Sequence, residues 1–122
     1  MIERIEDMPP GTIGLRGTGK LTRADYAEML EPALREAVES GEVRMLFVLS
    51  DFDGLEPGAV TEDIRTGLTL GAAHRSAWKR LALVTDVEWV RKAMGTFAWV
   101  IPGDSRAYDL DELEQAKEWV AS

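Results

Sequence analysis

The sequence predicts a single α/β domain, a ββαβαβαβα sandwich in which a mostly parallel sheet is flanked by helices. Three observations predict it. The apolar runs Met45 to Leu49 and Leu81 to Val84 are continuous, as central strands buried on both faces are. Stretches between and after them repeat apolar residues every three or four positions, the period of a helix with one buried face. At the N-terminus, two short alternating segments are joined by a connection that suits a hairpin. Strands alternating with helices imply right-handed crossovers and a sheet covered by helices. At 122 residues the chain has the length of one domain, 1–122, with one core.

Ile2 to Met8 alternates apolar and polar residues until Pro9-Pro10-Gly11, which cannot continue a ladder. A second strand follows over Thr12 to Gly17, with Ile13 and Leu15 on one face. Gly14 and Gly17 there either admit a close backbone neighbour or mark a bulge. Thr22 opens the first helix as an N-cap with Asp25 three residues on, and Leu21 and Tyr26 occupy the positions of a hydrophobic staple. Tyr26, Leu30, Ala33, Leu34, Ala37 and Val38 form its buried stripe, Glu31 and Arg35 a pair on its wet face, and Gly41 its end. Pro32 removes a donor inside this pattern, so one helix with a bend is expected.

The central strand, within Arg44 to Leu55, ends its apolar run at Leu49 and gives way to Ser50, Asp51, Asp53 and Gly54. That change reads as a loop at the carboxyl end of the strand, where open α/β sheets hold their ligands. After Glu56-Pro57-Gly58, Val60, Ile64, Leu68 and Ala72 recur at one-turn spacing and predict a helix from about Val60 to His74. Gly67 and Gly71 weaken it, so it is either packed tightly by its neighbours or mobile as a lid. Thr85-Asp86-Val87-Glu88 reads as a capping box after the third buried strand and starts a helix carrying Val87, Trp89, Val90 and Met94. The apolar run Phe97 to Ile101 stops at Pro102-Gly103, and Arg106 to Tyr108 is a last short strand. Asp109 then caps a final helix with Glu112 at its third position. Leu110, Leu113, Ala116, Lys117 and Val120 share one side of it, and the Lys117 stem lies along apolar surface.

Composition narrows the function. With 22 acidic and 14 basic residues the net charge is −8, which opposes phosphate backbones and anionic membranes, so nucleic acid is excluded as a partner. There is no cysteine, hence no disulfide or thiolate metal site, and a reducing cytoplasm is the expected compartment. A single His rules out His-rich metal clusters. No stretch approaches the roughly 20 apolar residues of a membrane span, and no signal-peptide core is present. Gly17-Thr18-Gly19-Lys20 lacks the spacing of a phosphate loop. Ser50 and His74 would have to meet in space to form a nucleophile and base, and no nucleophile-elbow motif surrounds Ser50.

Several stretches together resemble the SpoIIAA-like family. They are Gly19-Lys20-Leu21-Thr22 followed by Asp25-Tyr26, the strand ending Asp51-Phe52-Asp53-Gly54, and Trp78-Lys79-Arg80 leading into the third buried strand with Trp89 beyond it. Pro102-Gly103 before Arg106, and Glu112, Ala116 and Trp119 in the closing helix, fit the same pattern. The resemblance covers nearly the whole chain and implies a compact fold like the STAS domains of anti-sigma-factor antagonists, with a further similarity to lipid-carrying CRAL-TRIO domains. STAS antagonists carry a phosphorylatable Ser in an Asp-Ser-Ser-Gly type motif, which this chain lacks. Thr61 is the hydroxyl near the corresponding helix start, and Glu62 and Asp63 beside it repel a phosphate.

The expected function is a non-catalytic binding, interaction or regulatory module without a cofactor. Its ligand is an apolar or lipid-like small molecule, as the CRAL-TRIO similarity implies, or a protein. The residues expected at the site are Asp51, Asp53, Thr61, Ile64, Leu68, Trp89 and Trp99, since aromatic residues line apolar pockets and subunit interfaces alike. Self-association as a homodimer is compatible with so small a domain carrying exposed Trp. The alternative is a divalent-metal-dependent enzyme using Asp51, Asp53 and Asp86, provided those carboxylates face one another within coordinating distance. Their ordinary uses are turns and helix caps.

Overall fold

The computed structural model describes residues 1–55, 75–97 and 103–122. In order it contains β1 (Ile2–Ile5), β2 (Ile13–Leu21), the helical run α1 (residues 23–39), β3 (Val43–Leu55), β4 (Trp78–Thr85), α2 (Glu88–Phe97), β5 (Asp104–Tyr108) and α3 (Leu113–Ala121). The helix expected from about Val60 to His74 lies outside the described residues.

The five strands make one sheet in the order β1-β2-β3-β4-β5, antiparallel between β1 and β2 and parallel elsewhere. Successive right-handed crossovers stepping one way across a sheet place their helices on the same face. Accordingly α1 and Val90 of α2 pack with Leu15, Met45, Leu49 and Trp78 on one side. Ala116 and Val120 of α3 pack with Leu46, Val48, Ala82 and Val84 on the other. The alternation along β3, Met45 and Leu49 to one cluster and Leu46 and Val48 to the other, is what a strand buried on both faces requires.

The Thr22 cap forms as the sequence predicts. The Thr22 hydroxyl accepts from the Asp25 N–H at 3.1 Å, and the Asp25 carboxylate accepts from the Thr22 N–H at 2.9 Å. Leu21 and Tyr26 are both buried in the cluster beneath. Burial raises the Asp25 pKa, but the Thr22 hydrogen bonds and the N-terminal ammonium together outweigh it and hold the carboxyl below its ordinary 3.8. The charged carboxylate therefore favours the folded state, fully above the unfolded carboxyl's pKa and less as pH falls through the lower folded value. Thr22→Ala is expected to cost about 1 kcal/mol in urea unfolding at neutral pH. That cost should shrink in acid.

Pro32 is admitted by a change of helix type. Tyr26–Leu30 is π-helical, with the Glu31 N–H reaching the Tyr26 carbonyl five residues back, and the α-helical segment Glu31–Glu39 starts directly before the proline. The wide turn inserts one extra residue where the ring would otherwise meet the preceding turn. On the outer face of the helix Glu36 is bonded by Arg4 of β1, which ties the edge strand to α1.

At the other end, the Asp109 carboxylate and Glu112 form the expected capping box, with the Asp109 N–H donating to Glu112 at 2.8 Å. Lys117 is 6 % exposed, and its Nζ emerges to Asp7 at 3.1 Å and Glu114 at 3.6 Å. Trp119 is half-buried, with the guanidinium groups of Arg80 and Arg106 at 4.9 and 5.1 Å from its ring centre. Arg44 and Arg80 donate to the last carbonyls of α3, those of Val120 and Trp119, at 3.1 and 2.8 Å. Two neighbouring strands thus cap the C-terminal end of α3 with charge of the sign its dipole favours.

Candidate functional site

Parallel pairing brings the carboxyl ends of β2, β3 and β4 to one rim, where β2 and β3 run on together past the end of β4. The pairing of β3 with β4 ends at Leu49 opposite Thr85, yet β3 continues to Leu55 against β2 alone. The segment expected to be a loop after Ser50 is therefore strand. It is irregular strand: the register with β2 shifts around Gly19, and Asp51 has φ +50, the one positive value among the described residues other than glycine. Asp tolerates this left-handed geometry better than most side chains.

The extension carries Phe52, half-buried, to the first turn of α2. There its ring meets Trp89 with centroids 6.0 Å apart and planes tilted by 47°. Trp89 is 56 % exposed, and among the residues whose burial is described it and Met1 are the exposed large apolar side chains. The turn that presents it is firmly built. Thr85 is fully buried at the end of β4, and its hydroxyl accepts from the Val87 N–H at 3.1 Å. The Val87 carbonyl accepts from Arg91 at 3.2 Å and so begins the helix. Thr85 is thus the anchor of a strand-to-helix turn, and the expected N-cap pairing with Glu88 gives way to a helix opening two residues later. Arg91 also donates to Asp109 at 2.6 Å, which fastens α2 to the start of the last helical segment.

Of the residues expected at the site, Asp51, Asp53 and Trp89 lie at this rim, all exposed, with Asp86 and Glu88 beside Trp89. Thr61, Ile64, Leu68 and Trp99 fall outside the described residues, as does His74. Phe52 was missed because its neighbours, Asp51 and Asp53, read as a turn. The aromatic residue between two polar ones was the available sign of continuing strand alternation.

The described residues of the rim form no carboxylate cluster of cation-binding dimensions. Among the described residues, the carboxylates within 4.8 Å of one another are those of Asp109, Asp111 and Glu112, not Asp51, Asp53 and Asp86. Asp109 and Glu112 are engaged in the capping box, and Asp109 also accepts from Arg91. Gly17 to Lys20 lies within β2, so it forms no phosphate-binding loop. Two open clefts, of about 220 and 460 Å³, lie at the opposite end of the sheet. The smaller lies between the end of α1 and Arg44, and the larger borders the Pro9–Pro10 connection. Neither touches Phe52 or Trp89.

The SpoIIAA-like family model matches residues 12–121. A solved structure from Shewanella loihica PV-4, an uncharacterized protein from the DUF3478 family with a SpoIIAA-like fold, superposes with a TM-score of 0.70 at 28 % identity. The match covers 98 % of this chain and 90 % of that one. No curated protein matches the sequence. With that match over most of its length, and a sheet and flanking helices among the described residues, the chain belongs to the SpoIIAA-like family.

Proposed function

We propose that this chain is a non-catalytic recognition module that docks its ligand on the carboxyl rim of the sheet. The observation that carries the reading is Trp89, more than half exposed yet held against Phe52 by a turn whose anchor is fully buried. A large apolar ring kept in water on a rigid mount gains by being covered, and roughly 1–3 kcal/mol is available from burying such a side chain. Exposure of the Trp89 ring on the surface suits contact with a protein. The absence of cysteine suits a reducing, cytoplasmic setting.

Native mass spectrometry of the chain purified from its own cells without added ligand tests this reading. The wild type is expected to retain a partner or adduct that Trp89→Ala loses, with both proteins equally folded by circular dichroism. Identical bound species in the two proteins, or none in the wild type, would count against it.

A further inference from the structure

We propose that the outer edge of β5 pairs with the same edge of a second copy, antiparallel about a two-fold axis at Ser105, so that Asp104 of each copy faces Arg106 of the other. β5 is the last strand of the sheet, and among the described residues no strand pairs with its far side. Its five residues, Asp104–Tyr108, therefore present a row of backbone donors and acceptors that β4 does not use. The edge is open to water, with Asp104, Arg106 and Ala107 exposed along it.

Symmetry restricts how such an edge meets itself. Directly opposite residues of an antiparallel pair point to the same face, so the axis passes through a residue and sets that residue against its own copy. On β5 an axis at Asp104 or Arg106 opposes like charges, and one at Ala107 makes no ion pair. An axis at Ser105 puts a small hydroxyl at the centre and an Asp–Arg pair on either side. Both pairs lie on the α3 face, since Asp104 and Arg106 stand in register with Arg80 and Ala82 of β4. Ala107 then meets Gly103, which has no side chain to obstruct it.

The opposite edge of the sheet does not match itself in this way. On β1 an axis at either central residue, Glu3 or Arg4, sets like charges together, and Arg4 is already held by Glu36. On β5 both charges are available. Neither Asp104 nor Arg106 has an ion-pair partner among the described residues, and Arg106 rests against the Trp119 ring, 5.1 Å from its centre. Charged side chains along an edge deter an arbitrary strand, and these two become complementary in one register of self-pairing. The net charge of −8 opposes association, but Arg80 and Arg106 offset it locally, and at about 0.15 M salt repulsion fades over roughly 8 Å. Five residues a side bury less than the roughly 1,000 Å² of a stable complex, so the dimer is weak, with a dissociation constant on the order of 0.1 mM.

Sedimentation equilibrium of the full chain, over concentrations spanning that constant and in the same salt, tests the proposal. The wild type is expected to approach the mass of a dimer. Asp104→Lys and Arg106→Glu each turn both pairs repulsive and should weaken association about tenfold. Asp104→Lys also makes the chain less acidic, so general charge repulsion alone predicts the reverse. An equimolar mixture of the two variants restores attraction at both pairs and should recover association near the wild-type level. Circular dichroism checks that each variant is folded, and where Arg106→Glu is not, Asp104→Lys at the exposed position decides alone. A dimer as tight with Asp104→Lys as without it, or a folded mixture that stays dissociated, would overturn the proposal. A wild type that remains monomeric would overturn it too and leave the open edge to an extended segment of another protein.

Discussion

Leu46→Ala is expected to destabilise the protein by about 3–5 kcal/mol, against a typical total near 5–15 kcal/mol for a domain. Leu46 lies in the middle of β3, is 0 % exposed, and is the largest buried member of the cluster beneath α3. Its companions there are Val48, Ala82, Val84, Ala116 and Val120, which are small and leave few atoms able to relax into the space. Among the described residues α3 is the helix that covers this face, so the loss also weakens its docking. Urea unfolding followed by circular dichroism measures the cost. Leu46→Met, which nearly conserves volume, should lose less than about 1.5 kcal/mol. Equal losses for the two variants would mean that packing at this position is not what holds α3 down.

Gly103→Ala should cost about 2–4 kcal/mol through two separable causes. Gly103 has φ +78, where an L side chain is strained by about 1–2 kcal/mol. A Cβ added there would also lie 2.7 Å from the Trp78 carbonyl oxygen and 2.8 Å from that of Lys79. Those atoms are backbone in β4, at an irregularity where Val43 pairs with Trp78 but Arg44 pairs with Arg80, so relief requires the strand to move. Moving packed backbone adds a further ~1–3 kcal/mol. Gly11 is the control. Its φ of +80 is nearly the same, but an added Cβ meets nothing within 4 Å, so Gly11→Ala should show the conformational cost alone.

Much of this architecture is legible in the residues because local and global preferences agree. The apolar runs of β3 and β4 are buried on both faces, and Thr22–Asp25 and Asp109–Glu112 cap their helical segments as their spacing predicts. The Lys117 stem is buried with its charge led out to Asp7 and Glu114. Hairpin pairing of β1 with β2 follows from the short connection.

What was misread has a common cause. Beyond Leu49, β3 loses β4 as a neighbour but keeps β2, so polar residues appear although pairing continues. Polarity there marks the loss of one partner strand, not the end of the strand. Likewise Thr85 has the sequence of an N-cap but the position of a strand terminus, and its hydroxyl serves the turn before the helix. Strand order could not be read, because it depends on which edges meet. The candidate site was half legible: Asp51, Asp53 and Trp89 share the rim, whereas Phe52, which joins them, was hidden by the turn-like residues on either side.

The central claim is that the Trp89 rim is a surface another molecule covers. The most direct measurement replaces Trp89 by the photo-crosslinking residue p-benzoylphenylalanine in the native cell and compares it with the same residue at exposed Glu118 on α3. Position 89 is predicted to crosslink to another molecule in yield well above that at position 118. A yield at position 89 no greater than at position 118 would contradict it.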